Sequence, residues 1–273
     1  MKSHFDFVLL TTALVSSASL AFAQSGLTIR ETSGLMQLAF TGPSELQYSS
    51  NLTAWASFGV QNSPYTDLDS ASLGARFYKL NRGSVDCETV VGFYRLNLAQ
   101  GYALIANQLD NGKGNRLVDV IPSPPNGTLV FKFNGTGYAI LDYADGAWEG
   151  DDLNMTLAPG EGAFIHVAID STNTFLGEIL SGDLSRSIPT GYSIVSSRVP
   201  ISGWLFPDLN YQPASGDFVF QFNRVTGGYR LFDYADFPFC SEEGCEIPLL
   251  GVGDAFFIKP GSTNNWTQNF CVH

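Results

Sequence analysis

Histidine is nearly missing from this chain: His4, His166 and His273 are the three imidazoles among 273 residues. A serine or cysteine nucleophile needs a base poised to take its proton, and no Gly-x-Ser-x-Gly elbow appears. His166 follows Phe164-Ile165 in an expected strand and is read as an exposed strand histidine on the face opposite Ile165. Basic residues are scarce as well, 14 Lys and Arg against 26 Asp and Glu, for a net charge of −12. Such a surface repels phosphate backbones, so no nucleic-acid partner is expected; neutral glycans and divalent cations stay compatible with it. Zinc is disfavoured by the missing Cys-x-x-Cys spacing. The "GEGAFI" (160–165) and "GDAFFI" (253–258) blocks lack the Lys-Ser/Thr of a phosphate loop. Glu161 and Asp254 within them are read as turn acids before buried strands. No segment holds a helical period, so any helix is expected to be a short turn.

The apolar run from Phe7 to Phe22 follows Lys2 and ends in Ala21-Phe22-Ala23, the small-x-small pattern of a cleavable secretory signal. Residues 1–23 are therefore expected to be a signal peptide, with Gln24 as the mature start. No apolar tail precedes His273, so no membrane insertion is expected after cleavage, and the product is expected to be secreted, periplasmic or at the cell surface. In that oxidising setting, four cysteines read as disulfides with three connectivities open. Cys240 and Cys245 flank a short loop, and Cys87 would then pair with Cys271. Aromatics at 13%, 28 glycines and only 15% charged residues point to a β protein rich in turns.

The chain contains two copies of one unit. "GYALI" (101–105) matches "GYSIV" (191–195), "GTLVFKFN" (127–134) matches "GDFVFQFN" (216–223), "GYAILDYAD" (137–145) matches "GYRLFDYAD" (228–236), and "GEGAFI" matches "GDAFFI". The starting positions differ by 90, 89, 91 and 93 residues (101 to 191, 127 to 216, 137 to 228, 160 to 253). Asn134-Gly135-Thr136-Gly137 reads as a hairpin turn; its counterpart, 223–228, is two residues longer. A two-residue change keeps the inward face inward, so Phe131, Phe133, Phe220 and Phe222 are expected on one buried face, with Lys132 and Gln221 on the other. Strands are expected at 91–98, 102–107, 138–143, 162–167 and 174–179, and again at 186–189, 192–197, 229–234, 254–259 and 265–271. The expected fold is all-β: a small N-terminal β-module (24–85), then two homologous sandwich or barrel-like units (86–180 and 181–273) packed as a pseudo-symmetric pair.

The segment "FTGP…YSSNLTAWASFG…ARFYKL" resembles a small β-module of exported proteins from Verrucomicrobia-like and Planctomycete-like bacteria. The duplicated "GYxxI…VFxFN…GYxxxDYAD…GxxFI" unit resembles a second module of the same secretomes. That resemblance implies an extracytoplasmic accessory or surface protein and assigns no chemistry.

Two residue sets are candidates for function. Asp142, Asp145, Asp151 and Asp152 recur 91 residues later as Asp233, Asp236, Glu242 and Glu243. Hard oxygen ligands in loops suit calcium, although the spacing matches no EF-hand and a solvated acidic turn is the plainer reading. Flat aromatic faces suit sugars, and Trp55, Trp148, Trp204 and Trp266 with Tyr138 and Tyr229 offer them, although core packing is the plainer reading for the set. Trp148, in the acidic loop beyond the DYAD strand, is expected as the exposed ring. The sequence thus points to an exported non-catalytic binding or surface-interaction protein, with a glycan or surface protein as partner and no cofactor apart from calcium. A structural envelope component and a carboxylate-based glycan hydrolase are the alternatives.

Overall fold

The computed structural model describes residues 26–83, 87–234, 240–241 and 244–273, with only the backbone described at 240–241 and 244–245. The expected signal peptide, Asp236, Glu242 and Glu243 lie outside the described residues. The fold is all-β, built from antiparallel sheets. Among the described residues the helical segments are single turns, Ser70–Ser72 and Leu117–Val120, and none is long and apolar enough to cross a membrane.

Strands Ser44–Ser49, Ala56–Gln61 and Ala75–Leu80 join Val91–Leu98 and Ser171–Glu178 in one five-stranded sheet. This sheet runs across residue 85, pairing Ala75 with Tyr94 and Tyr78 with Val91. The apolar run of Val91–Leu98 follows from burial on both faces. Val91 and Phe93 pack with Met36, Leu38 and Leu46 of the N-terminal layer, while Tyr94 and Leu98 face the core of the first repeat. At Gly92 an added Cβ would lie 2.4 Å from the Phe77 ring, so the close strand approach requires glycine.

The two repeats share one topology. In the first, Gly101–Ile105, Ala163–Val167, Thr128–Phe133, Tyr138–Ala144 and Ala147–Gly150 lie side by side in that order. In the second, Ser193–Val195, Phe256–Lys259, Asp217–Phe222, Tyr229–Tyr234 and Cys240–Ser241 repeat the order, followed by Gly244–Cys245. The opening and closing strands of each repeat also pair, Val91–Leu98 with Ser171–Glu178 and Gly182–Ile188 with Asn264–Phe270. Each repeat thus stacks its sheet on its paired opening and closing strands. The second has a core of its own, the first repeat's core also takes in Leu184, Val199 and Val272 of the second, and no sheet of the described residues closes into a barrel. The Asn-led hairpins form as expected: the Asn134 side-chain oxygen accepts from the Thr136 and Gly137 N–H, and that of Asn223 from the Val225 and Thr226 N–H.

The expected facing of the phenylalanines is corrected. Val130 and Val219 point to the fully buried cores, with Leu141 and Ile165 or Phe232 and Ile258 around them. Phe131, Phe133, Phe220 and Phe222 occupy the second face and are half-buried. Lys132 and Gln221 share the Val side, at the sandwich margin, where Lys132 Nζ meets Glu161 at 2.8 Å.

Equivalent backbone groups exchange hydrogen bonds between the repeats. The Ser196 N–H donates to Gly160 O (3.0 Å) and the Ala106 N–H to Gly253 O (2.9 Å). At the same seam a Cβ on Gly162 would fall 2.5 Å from both Ala255 Cβ and Ile194 Cγ2. A disulfide joins Cys87 to Cys271, as the sequence suggested. Cys240 and Cys245 are directly opposite in a backbone ladder; their side chains lie outside the described residues.

Candidate binding site

Each repeat presents the same aromatic set on its second sheet face: Tyr102, Phe131, Tyr138 and Phe164 in the first, Tyr192, Phe220, Tyr229 and Phe257 in the second. Register places them there. Phe164 pairs with Phe131, Ile140 with Phe131, and His166 with Tyr102, so alternate residues of neighbouring strands share one side. Where the repeats meet, Phe133 packs on Phe257 (centroids 5.5 Å apart), the equivalent Phe222 packs on Phe164 (5.3 Å), and Phe164 lies 5.9 Å from Phe257. These contacts form a small apolar seam with Leu104, Ala106, Ile194 and Ala255.

Away from the seam the two faces open into an aromatic trough. Tyr102, Tyr138, Tyr192 and Tyr229 are 52%, 42%, 47% and 47% exposed. On the first repeat's side the trough forms a cavity of about 470 Å³, closed by Phe222, Arg224, Gly227 and Tyr229 of the second repeat. On the other side a cavity of about 260 Å³ is lined by the second repeat alone. Tyr229 borders both. The difference traces to the longer hairpin: residues 224 and 227 reach the larger cavity, whereas nothing from 134–137 lines the smaller one.

Burial raises the Tyr138 phenol above its usual range, and burial together with the nearby Tyr138 pushes Tyr229 up to about 12. Both hydroxyls therefore remain protonated donors at physiological pH. A polar group tops the Tyr at equivalent positions of the two faces. His166 packs on Tyr102 with ring centroids 4.7 Å apart, and Lys259 Nζ lies 5.7 Å from the Tyr192 ring centre. His166 does share the face opposite Ile165, but it is half-buried and not exposed.

Of the expected sugar-binding rings, Tyr138 and Tyr229 line the trough and Trp148 does not. Asp145 and Gly146, at φ 51° and 81°, form a two-residue hairpin turn. That turn pairs Trp148 with Tyr143, so the indole folds back into the core, where Nε1 donates to Ile121 O at 2.7 Å. The expectation of an exposed Trp148 is thereby corrected.

The acidic set is dispersed along a hairpin and the loop after it. Asp142 sits in the strand opposite Glu149, and Asp145 occupies the turn. Asp151 Oδ2 accepts the Ile140 N–H (2.9 Å), and Asp152 Oδ1 accepts the Asn154 N–H (2.9 Å). Asp233 pairs with Phe218 on one side and Cys240 on the other. Among the described residues no group of three or more His, Cys, Asp or Glu gathers as a cation cage. Glu161 and Asp254 behave as turn acids, each accepting a backbone N–H three residues earlier, from Ala158 and Gly251 at 2.8 Å. Burial alone would raise the Glu161 pKa, but Lys132 and three hydrogen bonds hold it below the ordinary carboxylate value.

Sequence reasoning missed Tyr102, Tyr192 and Arg224 as site residues. The tyrosines lay in plain view in the matched "GYALI" and "GYSIV" blocks, and Arg224 in the inserted hairpin residues. Comparisons with protein-family models, with curated proteins and with solved structures give no match.

Proposed function

We propose that this chain is an exported, non-catalytic binding protein that holds a glycan along the aromatic trough between its repeats. The row of four half-exposed tyrosines carries this reading. Exposed apolar surface gathered into one concave patch marks interaction sites on soluble proteins. Sugar rings present C–H faces that pack on aromatic π-faces, while the phenol hydroxyls supply hydrogen bonds at the rim. Two neighbouring cavities that share Tyr229 suit an extended chain of sugar units better than a single compact metabolite. The resemblance to exported bacterial modules and the signal-like residues 1–23 support the extracytoplasmic setting.

Affinity electrophoresis through gels containing soluble polysaccharides tests the reading. The native protein is expected to be retarded by at least one of them. The Tyr138→Ala/Tyr229→Ala double variant is expected to run unretarded while keeping its melting temperature within a few degrees. Retardation that survives the double substitution, or none on any polysaccharide, would overturn it.

A further inference from the structure

The aromatic residues of the two cavities are equivalent, yet only the larger has a charged side chain in its lining; at the smaller, Lys259 Nζ stands 5.7 Å from the Tyr192 ring centre, outside the lining. The inserted residues of the second hairpin bring Arg224 to an aromatic wall that contains no acid. Its guanidinium is loosely held. Nη2 lies 3.8 Å from Asp254 Oδ1 and 3.5 Å from Leu104 O, both at the long limit for a contact. Asp254 is already engaged by Oδ2, which accepts the Gly251 N–H at 2.8 Å. Arg224 is 36% exposed by its side chain, and a guanidinium carries five donors in a fork matched to a carboxylate. The smaller cavity holds no such group within its lining of Tyr192, Phe220, Tyr229 and Phe257.

We propose that Arg224 sets the specificity of the larger subsite, so that it takes a sugar unit bearing a carboxylate, a uronic acid. This rests on the glycan reading above and narrows it to a chemical class. The net charge of −12 opposes a densely charged polyanion at long range, so the fitting ligand is a mostly neutral chain with isolated acidic units. A carboxylate meeting a guanidinium against apolar rings gains a stronger charge-assisted bond than it would in open water.

Matched oligosaccharide pairs provide the test: β-1,4- and α-1,4-linked oligomers carrying one uronic acid, and the same oligomers after carboxyl reduction to the alcohol. Titration calorimetry on the native protein is expected to show at least one acidic oligomer binding about tenfold tighter than its reduced form, with the gap narrowing as salt is raised. Arg224→Gln is expected to erase the gap by weakening the acidic form far more than the reduced one. Tyr229→Ala, at the residue common to both subsites, is expected to weaken both forms. Equal binding of the two forms by the native protein, or a gap that survives Arg224→Gln, overturns the acid specificity and leaves the glycan reading standing. Absence of binding by every pair overturns both.

Discussion

A single side chain shows how a turn decides a residue's role. Trp148 stands among acidic residues in the sequence, between Gly146 and Asp151, and composition alone suggests a solvent-exposed ring. The Asp145-Gly146 turn, with both residues at positive φ, sets the register of the returning strand. Register in turn sets the face, because side chains alternate with period two. One residue of slip would put Trp148 outside and Ala147 inside. As built, the indole packs edge-on to Tyr143 (5.3 Å) and donates to Ile121 O. Trp148→Ala is expected to cost about 3–5 kcal/mol through the cavity it opens. Trp148→Phe is expected to cost about 1–2 kcal/mol, chiefly because it leaves Ile121 O buried without its donor. Urea denaturation measures both. Retardation by polysaccharide is expected to persist in the Phe variant, which separates this tryptophan from the trough tyrosines.

At the scale of strands and hairpins, much was legible because the chain contains its own comparison. The matched blocks placed the sheet strands, and the expected runs 91–98, 138–143 and 229–234 lie within a residue of the observed ones. The Asn-led turns were readable from their side-chain chemistry. The Asp-Gly turn after DYA was equally readable in "DYADGAW", and overlooking it is what misplaced Trp148. Which face of each sheet is innermost was not legible, since both faces of Thr128–Phe133 carry apolar residues and alternation cannot rank them. The larger cavity was illegible for a related reason: it exists only where two homologous faces meet, and neither repeat's strand pattern encodes the meeting. The seam does leave one trace in sequence, a departure from the repeat. Gly162 stands where the second copy has Ala255, and these two positions face each other. Gly162→Val is expected to force the sheets apart, costing about 2–3 kcal/mol as an overpacked contact. It should also reshape both cavities, so polysaccharide retardation is expected to fall together with stability. The reverse change, Ala255→Gly, is expected to keep retardation and lose about 1 kcal/mol or less. Equal stability of Gly162→Val and the native protein would mean the repeats do not meet at this seam.

Over the whole molecule, three cores are held by tyrosines whose hydroxyls are buried in fixed hydrogen bonds. Tyr78 Oη donates to Asp67 Oδ2 at 2.6 Å beside Arg76, and Tyr211 Oη donates to Asp217 Oδ2 at 2.6 Å. Tyr94 Oη donates to Ala106 O at 2.8 Å, next to the seam between the repeats. Burial raises all three above the ordinary phenol value, and the adjacent carboxylates add to the rise for Tyr78 and Tyr211. In the unfolded chain each titrates near pH 10. Above that pH the unfolded state binds fewer protons than the native state, so unfolding releases protons and stability falls as pH rises. Below pH 10 these groups are neutral in both states and contribute no pH dependence. Three phenols together give a slope of about 4 kcal/mol per pH unit above pH 10, at about 1.4 kcal/mol for each. Urea denaturation at pH 8, 9, 10.5 and 11 is expected to show a plateau and then this decline. Phenolate absorbance from the buried set should appear only as the protein unfolds. Tyr94→Phe is expected to lower the plateau, because Ala106 O and the Gln108 N–H, which donates to Tyr94 Oη at 3.1 Å, lose their partner. The same variant should reduce the slope by the share of one phenol, about 1.4 kcal/mol per pH unit. A native state whose stability stays level from pH 9 to 11 would mean that these hydroxyls are not held as the structure places them.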